Sequence, residues 1–550
     1  MCRIEGRGYH RNCALLLVAA LAACGGGGGG GGAAVAPTLP DFTPGALPAN
    51  RVSADSPFNT NCAGSAQTGT LYRNAEVEPY LAVNPGNSSN LIGVWQQDRY
   101  SSGGSQGLLA GVSTNGGQTW VLRSTTFSRC SGGNSVNGGD YARASDPWVD
   151  FSPNGNAYQV ALAFTGEVFA AGSANAVRVS RSTDGGLSWD APITLQRDGA
   201  DAFNDKQSLT ADSSDSNYAY VVWDRLTGNL GPTWFAATIN GGASWGAARV
   251  IYDPGANSQT IGNQIINVPG PALLNVFTRI DYNAGGTVSR VRLQTMRSSD
   301  HGSSWSPPVD VADVQSVGAR DPDTGRPIRD GSLLGSPAVG PGGLLYMAWQ
   351  DARFSGGVHD AIVFARSSDG GLSWSAPTRI SAVANVDAFT PSITVRSDGV
   401  IGVSYYDLRS NTSSAATLPA DYWLTRSSDG VNWTEQHLSG PFDLALAPDA
   451  KGLFLGDYQL LKSIGLNFFA FFSQTTGSAS ANRSDIFAVT PSNTLTSANR
   501  SKASFGVASA GPVPAMTPEF EQRIQQNALL RMSQPPLRRW MSVSQTALLR

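Results

Sequence analysis

The sequence repeats one eight-residue pattern through most of its length. Six copies occur: STNGGQTW from Ser113, STDGGLSW from Ser182, TINGGASW from Thr238, SSDHGSSW from Ser298, SSDGGLSW from Ser367 and the shortened SSDGVNW from Ser427. Successive copies begin 69, 56, 60, 69 and 60 residues apart. A repeat at this spacing predicts an array of equivalent structural units that bury their apolar faces against one another.

The residue types of the octet suit a rigid turn between two strands. An Asp or Asn at the third position can accept hydrogen bonds from backbone amides, and the glycines that follow adopt positive φ at little cost. The closing Trp is expected to fold back and bury its ring between neighbouring sheets. Because every unit needs such a turn, we interpret the four octet aspartates as structural rather than catalytic: Asp184, Asp300, Asp369 and Asp429.

Strand patterns surround each octet. An apolar strand that ends in an aromatic residue and then an acid or Arg precedes it, as in IGVWQQDR from Ile92 and YVVWDR from Tyr220. A shorter strand lies upstream, and seven such strand openings can be found: Glu78-Pro79-Tyr80, Asp146-Pro147-Trp148, Asp205-Lys206-Gln207, Asn263-Gln264, Ser336-Pro337, Thr390-Pro391 and Gly456-Asp457-Tyr458. The sequence therefore predicts an all-β fold, a single β-propeller of four-stranded antiparallel blades over residues 51–495, with seven blades favoured and six as the alternative. Residues 58–75 could supply the closing strand.

The N-terminus reads as a targeting segment. Arg3, Arg7 and Arg11 precede a short apolar run, which closes on Leu21-Ala22-Ala23-Cys24 and resembles a bacterial lipobox. Residues 1–24 are thus predicted to be a lipoprotein signal peptide with Cys24 as the lipidated residue, and residues 25–50 a Gly/Ala/Pro-rich tether. An ordinary secretion signal with an incidental Cys is the alternative. We expect an exported protein, anchored by lipid alone to the outer membrane or cell surface.

The cysteine count, the charge and the motifs of the sequence limit which partners and cofactors the protein can have. Of five cysteines, Cys62 and Cys130 alone would remain as thiols in the mature protein, and we expect one disulfide, with two unpaired thiols as the alternative. Charged residues make up 14% and the net charge is -3, which excludes a nucleic-acid partner. Without a Cys/His cluster or a phosphate loop we expect no cofactor, although Ca²⁺ at an acidic channel mouth stays open. We expect a monomer, with a tail over 496–550 that is partly disordered or a short helix from Thr517.

The octets resemble the Asp-box, or bacterial neuraminidase repeat, of the sialidase family, and the match spans most of the chain. Members of that family use three Arg residues for the sugar carboxylate, a Tyr nucleophile activated by a Glu, and an Asp acid/base. On this sequence the resemblance implies Asp146 as proton donor, Tyr406 or Tyr458 as nucleophile and Glu78 as its base. The substrate-binding arginines would come from the strand ends: Arg99, Arg225, Arg353 and Arg409.

The resemblance has a gap, and two functions stay open. The family's early Arg-Ile-Pro signature aligns on Val77-Glu78-Pro79, so the first Arg is missing at its expected position. One function is an exo-α-sialidase-type glycoside hydrolase. The other is a non-catalytic module that binds glycans or proteins. A Tyr oxygen within hydrogen-bond reach of a Glu carboxylate, beside at least two Arg forks, would favour the enzyme. A rim that shows only Asp/Arg pairs satisfied by each other would favour binding.

Overall fold

The structure is a computed structural model, and it describes residues 49–64, 67–228, 230–270, 272–477, 483–491, 504–506 and 513–532. The predicted signal peptide, Cys24, nearly all of the tether and most of the tail lie outside these residues. Within them, no helix is long and apolar enough to cross a membrane.

The described chain is all-β apart from short helices. After β1 (Asn50–Arg51), its strands fall into seven successive groups. The first two groups are β2 (Leu71–Val83), β3 (Leu91–Tyr100), β4 (Ser105–Ser113), β5 (Val121–Ser124), then β6 (Arg143–Phe151), β7 (Ala157–Thr165), β8 (Ala174–Ser182), β9 (Ile193–Asp198). The third and fourth are β10 (Phe203–Ala211), β11 (Ala219–Leu226), β12 (Leu230–Gly231), β13 (Thr233–Thr238), β14 (Arg249–Tyr252), then β15 (Ser258–Val268), β16 (Ala272–Tyr282), β17 (Val288–Ser298), β18 (Val309–Asp313).

The later groups follow the same order. After β19 (Ile328–Arg329), the fifth and sixth are β20 (Ser336–Val339), β21 (Leu345–Asp351), β22 (Ala361–Ser367), β23 (Thr378–Arg379), then β24 (Ala388–Val395), β25 (Ile401–Asp407), β26 (Pro419–Ser427), β27 (Asn432–Asp443). After β28 (Leu453–Phe454), the seventh is β29 (Leu460–Ile464), β30 (Asn467–Thr475), β31 (Ser484–Val489), and β32 (Ser504–Gly506) pairs with β27. The helices are α1 (Pro518–Arg531) and four 3₁₀ turns at Arg129–Ser131, Pro341–Gly343, Arg353–Ser355 and Leu444–Leu446.

Neighbouring strands within each group are antiparallel. The two-residue β12 is not counted among the four strands of the third group, because it pairs in parallel with β15 of the fourth. The groups are not all separate sheets. Single residue pairs, Ala75 with Ser484 and Ser105 with Ala144, join the seventh, first and second groups into one 12-stranded sheet. The sequence indicated that residues 58–75 could supply the closing strand, but among their described residues Ala75 alone pairs with β31. β1 pairs with β31 instead, with Asn50 opposite Ala488, so a strand at the end of the predicted tether completes the seventh group.

Each octet links the third and fourth strands of its group, as its turn chemistry requires. In the octet between β8 and β9, Asp184 Oδ1 accepts from the Ser188 amide at 2.9 Å, and Ser182 Oγ accepts from the Gly186 amide at 2.8 Å. The octet aspartates therefore form hydrogen bonds within their own turns, which agrees with a structural role. Among the octet indoles, that of Trp433 is fully buried, whereas those of the other five copies are half-buried: Trp120, Trp189, Trp245, Trp305 and Trp374.

Two adjacent glycines of the first octet test this turn. Gly117 has φ +87°, and a Cβ there would lie 2.8 Å from the Phe469 ring of the seventh group, whereas Gly116 has φ +72° and open space around it. Gly117→Ala is expected to lower the free energy of unfolding by about 2–4 kcal/mol, since positive φ and overpacking both cost energy. Gly116→Ala, the matched control, should cost about 1 kcal/mol. Equal urea midpoints for the two variants would contradict the contact with Phe469.

The first strands of successive groups contact one another in a cycle, from β2 through β6, β10, β15, β20, β24 and β29 back to β2. Five of them contain a residue with positive φ at the same point, beside a register shift: Glu78, Asp146, Lys206, Gly262 and Thr390. We call the side on which the first strands begin the upper side. These bulges interrupt the ladder and re-aim side chains, which makes them natural places for a site.

Helix α1 packs on the fourth and fifth groups. Thr517 caps it by accepting from the Phe520 amide at 3.2 Å, and Phe520 and Asn527 are buried. At its end, Arg531 donates to the Ile328 carbonyl at 2.6 Å and lies 3.1 Å from Asp330. The tail thus contributes a docked helix where the sequence carries its Thr-Pro-Glu start.

A disulfide joins Cys62 to Cys130. It ties the segment that follows β1 to the 3₁₀ turn that follows β5. The closing segment at the N-terminal end is therefore covalently linked to the first group.

Candidate functional site

Five charged side chains meet inside the ring of first strands, and we call them the central cluster: Glu78, Asp146, Lys206, Arg329 and Asp457. Lys206 Nζ lies 2.5 Å from Asp457 Oδ2, 3.1 Å from Asp146 Oδ1 and 3.4 Å from Glu78 Oε1. Arg329 donates to both oxygens of Asp457, at 3.1 and 2.7 Å. One ammonium therefore links three carboxylates from distant parts of the chain.

The backbone explains why these side chains converge. Glu78, Asp146 and Lys206 are the positive-φ residues of the first three bulges, with φ of 55°, 51° and 48°. Side chains other than Gly are rarely held there, and such strain is concentrated at functional sites. Arg329 arrives differently, because β19 pairs in parallel with β28 and places Arg329 opposite Phe454.

Charge pairing governs the protonation of Lys206 and Asp457. Burial disfavours the charge of Lys206, but Asp146, Asp457 and Glu78 outweigh it and hold the pKa of Lys206 well above its usual value. Burial likewise opposes the charge of Asp457, yet Arg329 and Lys206 hold the pKa of Asp457 well below its usual range. Both groups are therefore charged at neutral pH.

Glu78 differs from its neighbours. It is 1% exposed, and burial raises its pKa to about 7 even though Lys206 favours the charged form. Its carboxylate accepts a short hydrogen bond from Gln96 and a long one, 3.4 Å, from the Asp457 amide. Glu78 is thus partly protonated at neutral pH.

Arg99 lies beside the central cluster. Its guanidinium carbon is 4.8 Å from the centre of the Phe454 ring, and that of Arg329 is 4.5 Å from the same ring. Burial, with the nearby Arg329, lowers the pKa of Arg99 to about 10. One of its amino groups donates to Gln96 at 2.7 Å, while its Nε has no partner among the described residues.

A cavity of about 180 Å³ opens above the central cluster, and we call it the upper cavity. Its charged lining consists of Arg99, Arg143, Lys206, Arg329, Lys451, Asp146, Glu167 and Asp205. Its apolar lining consists of Leu162, Phe164, Val168 and Phe203. Cationic side chains therefore outnumber carboxylates around this opening within the described residues, and one wall is apolar.

The other three predicted arginines do not reach the central cluster; each is engaged by acids of its own. Arg225 makes two hydrogen bonds to Asp198, at 2.8 and 2.7 Å. Arg353 makes two to Asp351, both at 2.8 Å. Arg409 pairs with Asp407 and Glu435. Arg353 and Arg409 thus pair within their own groups, whereas Arg225 links the third group to the end of β9 in the second.

The candidate tyrosines are also separated. Tyr458 lies next to the central cluster, but its hydroxyl donates to the Pro147 carbonyl at 3.3 Å rather than to a carboxylate among the described residues. Tyr406 lies between the sixth and seventh groups, where its hydroxyl donates to the Ser473 carbonyl. Neither tyrosine hydroxyl is therefore hydrogen-bonded to a carboxylate that could act as its base.

A Tyr–Glu pair does occur elsewhere. Tyr405 donates a short hydrogen bond to Glu435 beside Arg409, within the sixth group. All three side chains are at most 3% exposed. No substrate could reach this pair, which we interpret as structural.

The acidic residues of the channel mouth are arranged around Lys206. Within the described residues there is no cluster of three or more His, Cys, Asp or Glu side chains that could hold a metal ion. Lys206 Nζ lies within 3.4 Å of a carboxylate oxygen of Glu78, Asp146 and Asp457.

Comparison with known proteins yields structural likeness only. No family model and no curated protein matches the chain. A Dyadobacter fermentans protein of unknown function is 14% identical, with 77% of this chain and 96% of that chain covered and a TM-score of 0.41. A Hadza microbial sialidase is 18% identical, with 60% and 63% covered and a TM-score of 0.38. A Penicillium chrysogenum alpha-L-arabinanase complexed with arabinobiose is 14% identical, with 64% and 94% covered and a TM-score of 0.38.

These structural neighbours include glycoside hydrolases, at low identity. At TM-scores near 0.4, what this chain does has to be argued from its own side chains.

Sequence reasoning missed Lys206 and Arg329. The third strand opening was aligned on Asp205, whereas the residue equivalent to Glu78 and Asp146 is Lys206, one position later. The first two bulge residues each precede a proline, Pro79 and Pro147, whereas Lys206 precedes Gln207, so the sequence offered no matching signal. Arg329 lies in a connection outside the repeat, where no internal alignment could find it.

Proposed function

We propose that this chain is an exported lipoprotein whose region 51–495 is a single seven-bladed β-propeller, and that it binds an acidic glycan in the upper cavity without cleaving it. The cyclic contacts of the seven first strands and the pairing of β1 with β31 support the blade number. The lipobox-like end at Cys24 supports the lipid anchor and the exported location.

The upper cavity carries the proposal for an acidic ligand. Five cationic and three acidic side chains line it within the described residues. Lys206 and Arg329 are already paired with acids of the central cluster, so the positive surplus comes from Arg99, Arg143 and Lys451 against Glu167 and Asp205. Arg99 and Arg143 donate to neutral groups. A carboxylate could be held by this surplus through charge-assisted hydrogen bonds. The apolar wall around Phe164 and Phe203 suits the face of a sugar ring that exposes its C–H groups.

Binding is preferred to sialidase-type hydrolysis because the expected anion clamp is occupied. Arg225, Arg353 and Arg409 are neutralised by carboxylates of the protein. A clamp that must first break its own ion pairs gains little from a substrate carboxylate.

An exo-α-sialidase-type hydrolase is the second candidate. In it, Asp146 would be the proton donor, Tyr458 the nucleophile and Glu78 its base. The observation in its favour is the pKa of Glu78, raised to about 7 by burial, because proton transfer is efficient when the pKa lies near the working pH.

The two candidates are separated by one set of measurements on the purified mature protein. We expect saturable calorimetric binding of sialyllactose or galacturonic acid, weakened by salt, and no turnover of a fluorogenic sialoside. Lys451→Met should weaken this binding by about fivefold, as one lost ion pair near the surface does. Lys462→Met, which removes the same charge outside the upper cavity, should not.

Two results would count against the binding proposal. Turnover above the blank would replace it with the hydrolase. Absence of binding by both acidic probes would end it for this class of ligand.

A further inference from the structure

We propose that a second cavity, on the lower side of the central cluster, binds a neutral saccharide of one or two rings. This lower cavity has a volume of about 270 Å³, near the low end for small-molecule sites, and is lined mainly by the first strands beyond their bulges. The ion pair between Lys206 and Asp457, 2.5 Å apart, separates the two cavities, since Lys206 lines the upper one and Asp457 the lower. The lower cavity is therefore a distinct compartment.

Three aromatic rings form one wall of the lower cavity. Tyr80 and Trp148 are stacked, with ring centres 3.8 Å apart, and Tyr458 meets Tyr80 edge-on at 6.3 Å. Tyr80 and Tyr458 are half-buried, so part of each ring remains uncovered. Such a wall offers flat apolar surface to the C–H face of a sugar ring.

A buried acceptor without a partner faces the same cavity. Gln459 lines it and is 3% exposed; its Nε2 donates to the Thr390 carbonyl at 2.6 Å, but its Oε1 has no hydrogen-bond partner among the described residues. Buried carbonyl oxygens are nearly always satisfied by protein, water or ligand. A ligand hydroxyl group in the cavity could donate the missing hydrogen bond to Gln459 Oε1.

The remaining polar lining is balanced in charge. Asp150 accepts from the amides of Ala211 and Phe151, both at 3.0 Å. Burial raises the pKa of Asp150, and Lys462 and these amides oppose that shift in part. Asp457 is already paired with two cations of the central cluster. The lower cavity therefore presents donors and acceptors without surplus charge, which favours a hydroxyl-rich neutral ligand over an ion.

The test uses the mature protein with D-galactose, D-mannose, L-arabinose and lactose as probes, followed by saturation-transfer NMR and calorimetry. We expect at least one probe to bind saturably with Kd of about 1 mM or below. Thr394→Trp, which fills the lower cavity, should weaken that binding at least about tenfold. Lys462→Met should weaken it by about fivefold through one lost hydrogen bond.

Lys451→Met is the matched control, because it removes a lysine that lines only the upper cavity. It should leave neutral-sugar binding unchanged, while Thr394→Trp should leave acidic-ligand binding unchanged. The experiment can therefore show that one of the two binding proposals fails while the other holds.

Two outcomes would overturn the inference. One is no saturable binding of any probe up to about 10 mM, which would leave water as the sole occupant. The other is binding that neither Thr394→Trp nor Lys462→Met alters, which would place the sugar elsewhere. The lysine variant keeps the test valid if the tryptophan variant fails to fold.

Discussion

Replacing Lys206 by methionine is expected to lower the free energy of unfolding by about 3–5 kcal/mol, the usual cost of removing one partner of a buried ion pair. The Lys206 side chain is 10% exposed, and the three carboxylates around it are 1–7% exposed. Arg329 can still neutralise Asp457, but Asp146 and Glu78 would lose their nearest cation. Methionine keeps the length of the side chain, so the loss reflects charge rather than packing.

The destabilisation should depend on pH in a definite direction. The folded pKa of Glu78, about 7, lies above its usual value of 4.5, so the folded state binds more protons than the unfolded state between these values. Stability therefore falls as the pH rises through this window. Without Lys206 the fall should be steeper, so the gap between variant and wild type should be largest above pH 7 and narrow towards pH 5.

Urea unfolding of both proteins across this pH range measures the effect. Lys462→Met serves as the control, since Lys462 has no cluster of three carboxylates around it, and it should cost less than about 1 kcal/mol. A gap between Lys206→Met and wild type that stays constant with pH would mean that Lys206 contributes through packing alone.

Removing the disulfide should have an effect of similar size. Cys62 and Cys130 are 68 residues apart, and a loop of that length restricts the unfolded chain enough to stabilise the fold by about 4 kcal/mol. Cys62→Ala, Cys130→Ala and the double variant should therefore shift the urea midpoint equally, because each breaks the same bond. Reduced wild-type protein should match them.

Apolar packing near Cys62 is the alternative explanation of how this segment is held in place. Val52 and Phe58 are each 5% exposed and pack in the same apolar cluster as the disulfide. If the three variants lose less than about 1 kcal/mol, these contacts alone hold the segment, and the loop-entropy explanation is wrong.

Much of the fold could be predicted because its signals are local. The octet is a turn whose hydrogen bonds close within eight residues, so Ser182 and Asp184 specify it without help from distant parts of the chain. The strands next to it follow from alternation and β-branched content. The closing strand could not be found in this way, since pairing of Asn50 with Ala488 depends on contacts that no local pattern records.

The site was predicted only in part, for a related reason. Glu78, Asp146 and Asp457 could be placed together because they recur at equivalent points of the repeat. The outer arginines recur too, but they pair with acids of the protein itself: Arg353 with Asp351, Arg409 with Asp407, and Arg225 with Asp198 of the preceding group. The repeat does not predict Lys206, which stands at the bulge position held by the acids Glu78 and Asp146 in the first two groups and by Gly262 and Thr390 in the fourth and sixth. The positive-φ backbone at that position sets the direction of the lysine side chain.

The position of β1 would have a mechanical consequence under the proposed lipid anchor at Cys24. Any pull transmitted along residues 25–48 would act first on Asn50 and Arg51, which are held by two pairs to β31 and by the ion pair of Arg51 with Asp485. Peeling this short strand away would open the seventh sheet, but the crosslink at Cys62 would stop the tear before it reached the first group. A pulling force would then separate β1 from β31 first, and the two cavities would keep their shape.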